Sequence, residues 1–137
     1  MKIVVLKFGG TSVGSIERIK KVAKIISSYH KKRYKIIVVS SAMSGVTNDL
    51  IRKSKQISEN FLPSEYDVLV SSGEQVACSL IAARLSHIGL KSRSWLSWQI
   101  PIIAKGDYKN AKIFYIYKKK ILNFLAAKQL LTQHTYH

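Results

Sequence analysis

The sequence predicts an α/β fold built around a parallel sheet. Three observations carry that prediction. Two β-branched runs, Ile3-Val4-Val5-Leu6 and Ile36-Ile37-Val38-Val39, read as buried strands. A stretch with amphipathic helical spacing lies between them. Each run ends in a joint rich in glycine or hydroxyl residues, as strand-to-helix turns do.

Taken in order, the first run ends at Phe8 and meets Gly9-Gly10. From 16 to 29 the apolar positions are Ile16, Ile19, Val22, Ala23, Ile26 and Tyr29, spaced by three or four, which predicts a helix. Ser15 is placed to cap it, and Glu17 suits its N-terminal dipole. Arg33 and the lysines beside it suit the other end. The second strand spans Tyr34 to Ser40, and strand, helix and strand together form one βαβ unit. Such a unit favours parallel pairing and a right-handed crossover. Val46 to Ile57 reads as a short polar-rich helix, and Pro63 marks a break. Tyr66 to Val70 reads as helical. Val76, Ala77, Leu80, Ile81, Ala83 and Leu85 then read as a helix apolar on most sides, stopped by Gly89 as its C′ glycine. Lys91 to Leu96 and Ile100 to Ala104 read as short strands. Ile116 to Ala127 reads as a last helix with Ile121, Leu122 and Leu125 inward, and Leu130 to His137 shows no period.

Composition narrows the class. The chain has 137 residues, near the length of one domain. With 47% apolar and 22% charged residues it is globular in composition, neither disordered nor collagen-like. A single cysteine, Cys78, excludes an internal disulfide framework and a cysteine-rich zinc site, and its apolar neighbours read it as a small buried hydrophobe. His30, His87, His134 and His137 are too scattered for a metal centre, so no metal ligands are expected. Trp95 and Trp98 read as packing residues near the sheet. No apolar run approaches the roughly 18 residues of a membrane span, and the N-terminal apolar stretch is too short for a signal peptide. The expectation is a soluble cytoplasmic protein with no membrane partner. The 23 basic and 7 acidic side chains give a net charge of +16. That invites a nucleic-acid reading, but neither Lys31-Lys32-Arg33 nor Lys118-Lys119-Lys120 carries a base-reading motif. Salt-sensitive adhesion to polyanions is expected, with no specific nucleic-acid partner.

Three joints hold the candidate chemistry. Lys7-Phe8-Gly9-Gly10-Thr11-Ser12-Val13-Gly14 lies between the first strand and the first helix. Glycines there let backbone approach a ligand, a helix N-terminus offers N–H groups to an anion, and Lys7 can neutralise a transferring phosphoryl group. The glycine order matches neither a Walker A loop nor a dinucleotide fingerprint, and a plain structural turn fits it as well. Ser40-Ser41-Ala42-Met43-Ser44-Gly45-Val46-Thr47-Asn48 follows the second strand. In a parallel sheet it shares the carboxyl edge, where open α/β sheets bind ligands. The alternative is an ordinary loop with Thr47 or Ser44 capping the next helix. Ser71-Ser72-Gly73-Glu74-Gln75 reads either as a helix start capped by Ser71 or Ser72, or as a carboxylate placed to receive an ammonium group. The two are compatible.

KFGGTSVG, VSSAMSGVTNDL and SSGEQVACSLIAARL together resemble the aspartokinases of the amino acid kinase family, in order and in spacing, and WQIPIIAKGDYKNAKI is similar to the stretch that follows them there. The resemblance covers residues 1 to 128. It implies a three-layer α/β sandwich with a mainly parallel sheet, incomplete at its C-terminal side. It implies that Lys7 is catalytic, lying against the ATP phosphates, and that Phe8, Gly9 and Gly10 belong to the same nucleotide-binding loop. Thr11 and Ser12 would line the catalytic edge, Ser12 toward the substrate. Thr47 would hydrogen-bond L-aspartate and Glu74 would pair with its α-ammonium group. The implied reaction moves the γ-phosphoryl of ATP, with Mg²⁺ on the nucleotide, to the β-carboxylate of L-aspartate, giving 4-phospho-L-aspartate.

The family's catalytic domain continues beyond this length, with a Gly-Phe-Gln-Gly turn, a Gly-Arg-Gly-Gly-Ser-Asp segment and regulatory ACT domains. The expectation is therefore an N-terminal portion of the kinase domain over 1–128. Residues 129–137 would be an unpatterned tail of the kind a frameshift leaves. Such a chain is expected to be inactive alone, with activity depending on a second chain that supplies the other half. The competing readings are a non-catalytic phosphate- or aspartate-binding module and a basic polyanion-binding protein.

Overall fold

The computed structural model describes residues 2–108 and 110–127, and the backbone of 130–134. The elements run β1 (Ile3–Phe8), α1 (Ile16–Lys31), β2 (Lys35–Ser40), α2 (Val46–Ile57), α3 (Pro63–His87), β3 (Ser92–Trp95), β4 (Ile102–Lys105), β5 (Lys112–Ile116), α4 (Lys118–Ala126) and β6 (Leu130–His134). A four-stranded sheet has the order β1-β2-β6-β3, with every neighbouring pair parallel. β4 and β5 form a separate antiparallel hairpin.

Strand alternation sorts the core into two layers of side chains. Val4, Leu6 and Phe8 of β1 and Ile36 and Val38 of β2 pack with Ile19, Val22, Ala23 and Ile26 of α1 and Ile81 and Leu85 of α3. On the opposite face Ile37 joins Trp95, Ile100, Ile121 and Leu125, the last two from α4. Helices thus lie on both faces of an α/β three-layer arrangement. The second helical layer is thin: Ile3 and Val5, on the face of β1 away from α1, are 38% and 59% exposed.

The helix ends follow local chemistry. The Ser15 hydroxyl accepts from the Arg18 N–H at 3.2 Å, as its position predicts. At the end of α1, Arg33 takes a left-handed conformation (φ 62°). There the Arg33 N–H donates to His30 O at 2.9 Å and the Tyr34 N–H to Tyr29 O at 3.3 Å, a Schellman ending normally built on glycine. Gly89 (φ 84°) closes α3 the same way, with the Leu90 N–H donating to Leu85 O at 3.0 Å.

Several expectations are corrected. α3 is one helix from Pro63, which sits at its first turn, and not a helix beginning at Ser71. Its Ser71 and Ser72 hydroxyls donate to the carbonyls of Val68 and Leu69 at 3.0 and 2.7 Å, so they satisfy themselves within the helix instead of capping it. By length and composition α3 is apolar enough to cross a bilayer, contrary to the sequence estimate; its buried row, including Ala77, Cys78, Ile81 and Leu85, lies inside the fold. α2 is capped by neither Thr47 nor Ser44: Gly45 holds the cap position at φ 83° without a side-chain bond. β5 falls where no strand was expected, and Leu130–His134, without period in sequence, forms the interior strand β6. Trp95 is buried as expected, whereas Trp98 is 70% exposed and Leu122 40% exposed.

Candidate functional site

The carboxyl ends of β1 and β2 lie side by side, with Phe8 in register with Ser40. This puts the two joints in contact. The Ser41 N–H donates to Phe8 O at 3.0 Å and the Ser44 N–H to Gly10 O at 3.1 Å. A side chain at position 10 could not be accommodated: a Cβ on Gly10 would stand 2.9 Å from the carbonyl oxygen of Ala42. From the other side, a Cβ on Gly73 of α3 would stand 2.9 Å from the Ala42 Cβ and 3.1 Å from a Val46 methyl. Ala42 is therefore clasped between two glycines. That close approach draws the third segment, Ser71 to Gln75, onto the other two.

The junction borders an open cavity of about 320 Å³ lined by Gly10 and Thr11 from the first joint, Ser41 to Gly45, Thr47 and Asn48 from the second, and Glu74 from α3. Glu74 is 1% exposed and is the only ionisable side chain in that lining. Hydroxyl, amide and backbone groups make up most of the remaining wall. A single carboxylate in a wall of otherwise uncharged groups suits a small ligand that carries an ammonium group. One turn further along α3, burial, and after it the charge of Glu74, push the Cys78 thiol up to about 12, with a backbone hydrogen bond from Ser40 opposing. Cys78 is fully buried and inert in character, as expected. At the first turn of α2, Lys53 and Arg52 beside Asp49 hold its carboxyl below the usual range. The Lys53 partner stands at 2.9 Å.

The expected site residues divide between two places. Gly10, Thr47 and Glu74 meet in the cavity, together with Thr11. Lys7, Phe8, Gly9 and Ser12 are outside its lining. Lys7 is exposed and shares the β1 face of Ile3 and Val5, whereas Phe8 turns to the opposite face and packs on the α1–α3 core. Ser12 is exposed, its N–H donating to Gly9 O at 2.9 Å. Ser41 and Asn48 were not singled out individually in the sequence, and Ser44 only as a helix cap; their signal is that all three fall within the second joint. A larger hollow of about 410 Å³, among Ser86, Gly89, Leu90, Lys91 and Ser92, lies at the amino edge of the sheet, away from all three joints. The three joints and the closeness of their approach make the carboxyl edge the candidate site. Among the described residues no cluster of metal-ligating side chains is present.

The amino acid kinase family model matches residues 2–134. The chain belongs to the amino acid kinase family. It is 44% identical over 116 residues to an aspartokinase of Rickettsia felis, covering 82% of this chain and 29% of that protein. It is 41% identical over 131 residues to an aspartate kinase of Stutzerimonas stutzeri, covering 96% and 32%. The chain thus spans under a third of the length of these kinase relatives. Its fold superposes on the crystal structure of aspartate kinase from Synechocystis with a TM-score of 0.81 at 31% identity, over 96% of this chain and 21% of that one. Within the family, the parallel sheet and helical layers described above are the expected architecture. The match to residue 134 takes in β6, so the strand that sequence periodicity missed lies within the family domain.

Proposed function

We propose that this chain carries the amino-acid-gripping part of an aspartokinase site, for transfer of the γ-phosphoryl of ATP to the β-carboxylate of L-aspartate. The observation that carries the reading is Glu74: a carboxylate 1% exposed, opening on a cavity walled by both carboxyl-edge joints and Thr47. Support comes also from the aspartokinase relatives and from a fold neighbour, Escherichia coli aspartokinase III solved with aspartate and ADP. Glu74 receives the α-ammonium group and Thr47 hydrogen-bonds the amino acid. Lys7, beyond the cavity at the end of β1, meets the phosphates of ATP, which brings its own Mg²⁺. Gly9 and Gly10 let the backbone come close to those phosphates. The bond between the β–γ bridging oxygen and the γ-phosphorus breaks, a carboxylate oxygen bonds to that phosphorus, and ADP leaves with the bridging oxygen. The protein positions and neutralises, and no covalent intermediate with the chain is needed. The reading includes a cytoplasmic location, where ATP is plentiful.

The cavity lining holds one carboxylate and no cation, which favours binding over turnover for these 137 residues by themselves. Catalysis then requires the rest of a kinase domain, in the same polypeptide or on a second chain. Calorimetric titration tests the reading. L-aspartate is expected to bind, succinate (which lacks the ammonium group) to bind at least about tenfold more weakly, and Glu74→Gln to abolish the difference. Equal affinity for aspartate and succinate would sink the assignment of Glu74. Aspartate-dependent ATP turnover by the pure chain would overturn the separation of binding from catalysis.

A further inference from the structure

The hairpin of β4 and β5 is unlike the rest of the molecule. All five residues of β5 are exposed, as are three of the four in β4. Strand residues alternate between faces, so both faces of the ribbon are open. A two-stranded ribbon with no cover is at best marginally stable in water. Its exposed side chains are large: Tyr108 is 60% exposed, Phe114 63%, Tyr115 51% and Tyr117 51%. Lysines are interleaved with them. The Lys105 ammonium stands 3.6 Å from the centroid of the Phe114 ring, and Lys112 is its register partner across the hairpin. Lys118, Lys119 and Lys120 follow at the start of α4, all exposed. Asp107 is the only carboxylate between Ile102 and Lys120.

We infer that this hairpin, with the first turn of α4, is a binding ribbon for single-stranded nucleic acid, without sequence preference. Charge complementarity selects that occupant. Among the described residues, five lysines (Lys105, Lys112 and Lys118 to Lys120) against one carboxylate attract a polyanion and repel a second copy of the same surface. Exposed rings offer stacking platforms that every base can use, and lysines beside them meet the phosphates. An acidic membrane would share the charge preference, but a planar interface engages one face of a ribbon, whereas a flexible strand reaches both.

The test is fluorescence anisotropy of a fluorescein-labelled twelve-residue oligodeoxythymidylate titrated with the full chain across a salt series. If each of the five lysines meets one phosphate, the logarithmic salt slope is about −3.5. The double variant Phe114→Ala/Tyr115→Ala removes no charge and is expected to weaken binding about tenfold or more. The pair Phe114→Leu/Tyr115→Leu keeps apolar bulk in the hairpin and is expected to weaken it similarly, which separates loss of stacking from loss of the ribbon. Lys118→Gln/Lys119→Gln is expected to lower the slope by about 1.4. Lys31→Gln/Lys32→Gln, which removes equal charge from the far end of α1, is expected to leave affinity within about twofold. Binding unaffected by loss of both rings, or weakened equally by the α1 variant, would reduce the effect to generic polycation behaviour and overturn the inference. So would tighter binding to phosphatidylserine vesicles than to the oligonucleotide, with the same ring dependence.

Discussion

The carboxyl-edge cavity and the β4–β5 hairpin are both connections between a strand and a helix, yet they are built on opposite principles. At the cavity, backbones approach until only glycine fits, with position 10 against Ala42 O and position 73 against the Ala42 side chain. One carboxylate is almost wholly buried there. At the hairpin, β5 lies entirely at the surface and lysines outnumber the one carboxylate, Asp107. Small residues let segments distant in sequence close on one another, and the carboxylate ends up buried. Large aromatic and long basic residues keep the hairpin open, and its chemistry faces outward. One chain therefore holds a closely packed pocket and an open surface.

That contrast can be broken or sharpened by measurement. The largest difference is expected from paired truncations. Leu85→Ala, at a fully buried position of α3, should cost about 2–5 kcal/mol in urea unfolding, while Ile113→Ala on the hairpin should stay within about 0.5 kcal/mol. Equal costs would mean that the hairpin is packed in solution. Next, Gly10→Ala should cost about 1–3 kcal/mol, because the neighbour in the way is a backbone carbonyl that cannot rotate aside, and aspartate binding should fall with it. An unperturbed variant would show that the two joints are looser than their contact distance implies.

The thiol of Cys78 gives a third test, in pH. Its folded value of about 12 lies above the ordinary 9.0. The protection this gives is complete below about pH 9 and is lost as pH rises toward 12, by at most about 1.4 kcal/mol per pH unit. Cys78→Ala should flatten that alkaline limb relative to the parent, and at pH 8 the parent thiol should react with a thiol reagent only as fast as the fold opens. Rapid labelling of the folded chain would show access to the buried face of α3 from outside. The smallest effect is expected at the C-terminus of α1. Arg33→Gly should stabilise by about 0.5–1 kcal/mol, since the left-handed position disfavours a side chain. A loss of stability would mean that the guanidinium contributes more than its backbone strain costs.

Most of the βαβ start was legible because its signals are local. The spacing from Ile19 to Ile26 marks one buried helical face, Ser15 caps it, and β-branched runs mark β1 and β2. The glycine joints were legible as joints, and the family resemblance pointed to Glu74 and Thr47, both now in one cavity wall. What misled was chemistry with more than one use. Serine and glycine at 71–73 resemble a helix start, but here the hydroxyls bond back within α3 and the glycine admits Ala42. β6 has no alternating pattern in its sequence, yet it lies between β2 and β3. The exposure of Trp98 and Leu122 depends on what packs above them, which neighbouring residues do not encode.

The sequence by itself determined where the chain bends, which segments are helical or extended at the start, the family to which the joints belong and the strong positive charge. These follow from local propensity, periodicity and residue chemistry, all written within a few positions of one another. Only the tertiary structure decided which joints meet, that Glu74 lines the cavity and Lys7 does not, that β6 occupies the middle of the sheet, and that the hairpin stands uncovered. Those outcomes depend on contacts between segments tens of residues apart, where close packing selects one arrangement among many that the local signals allow.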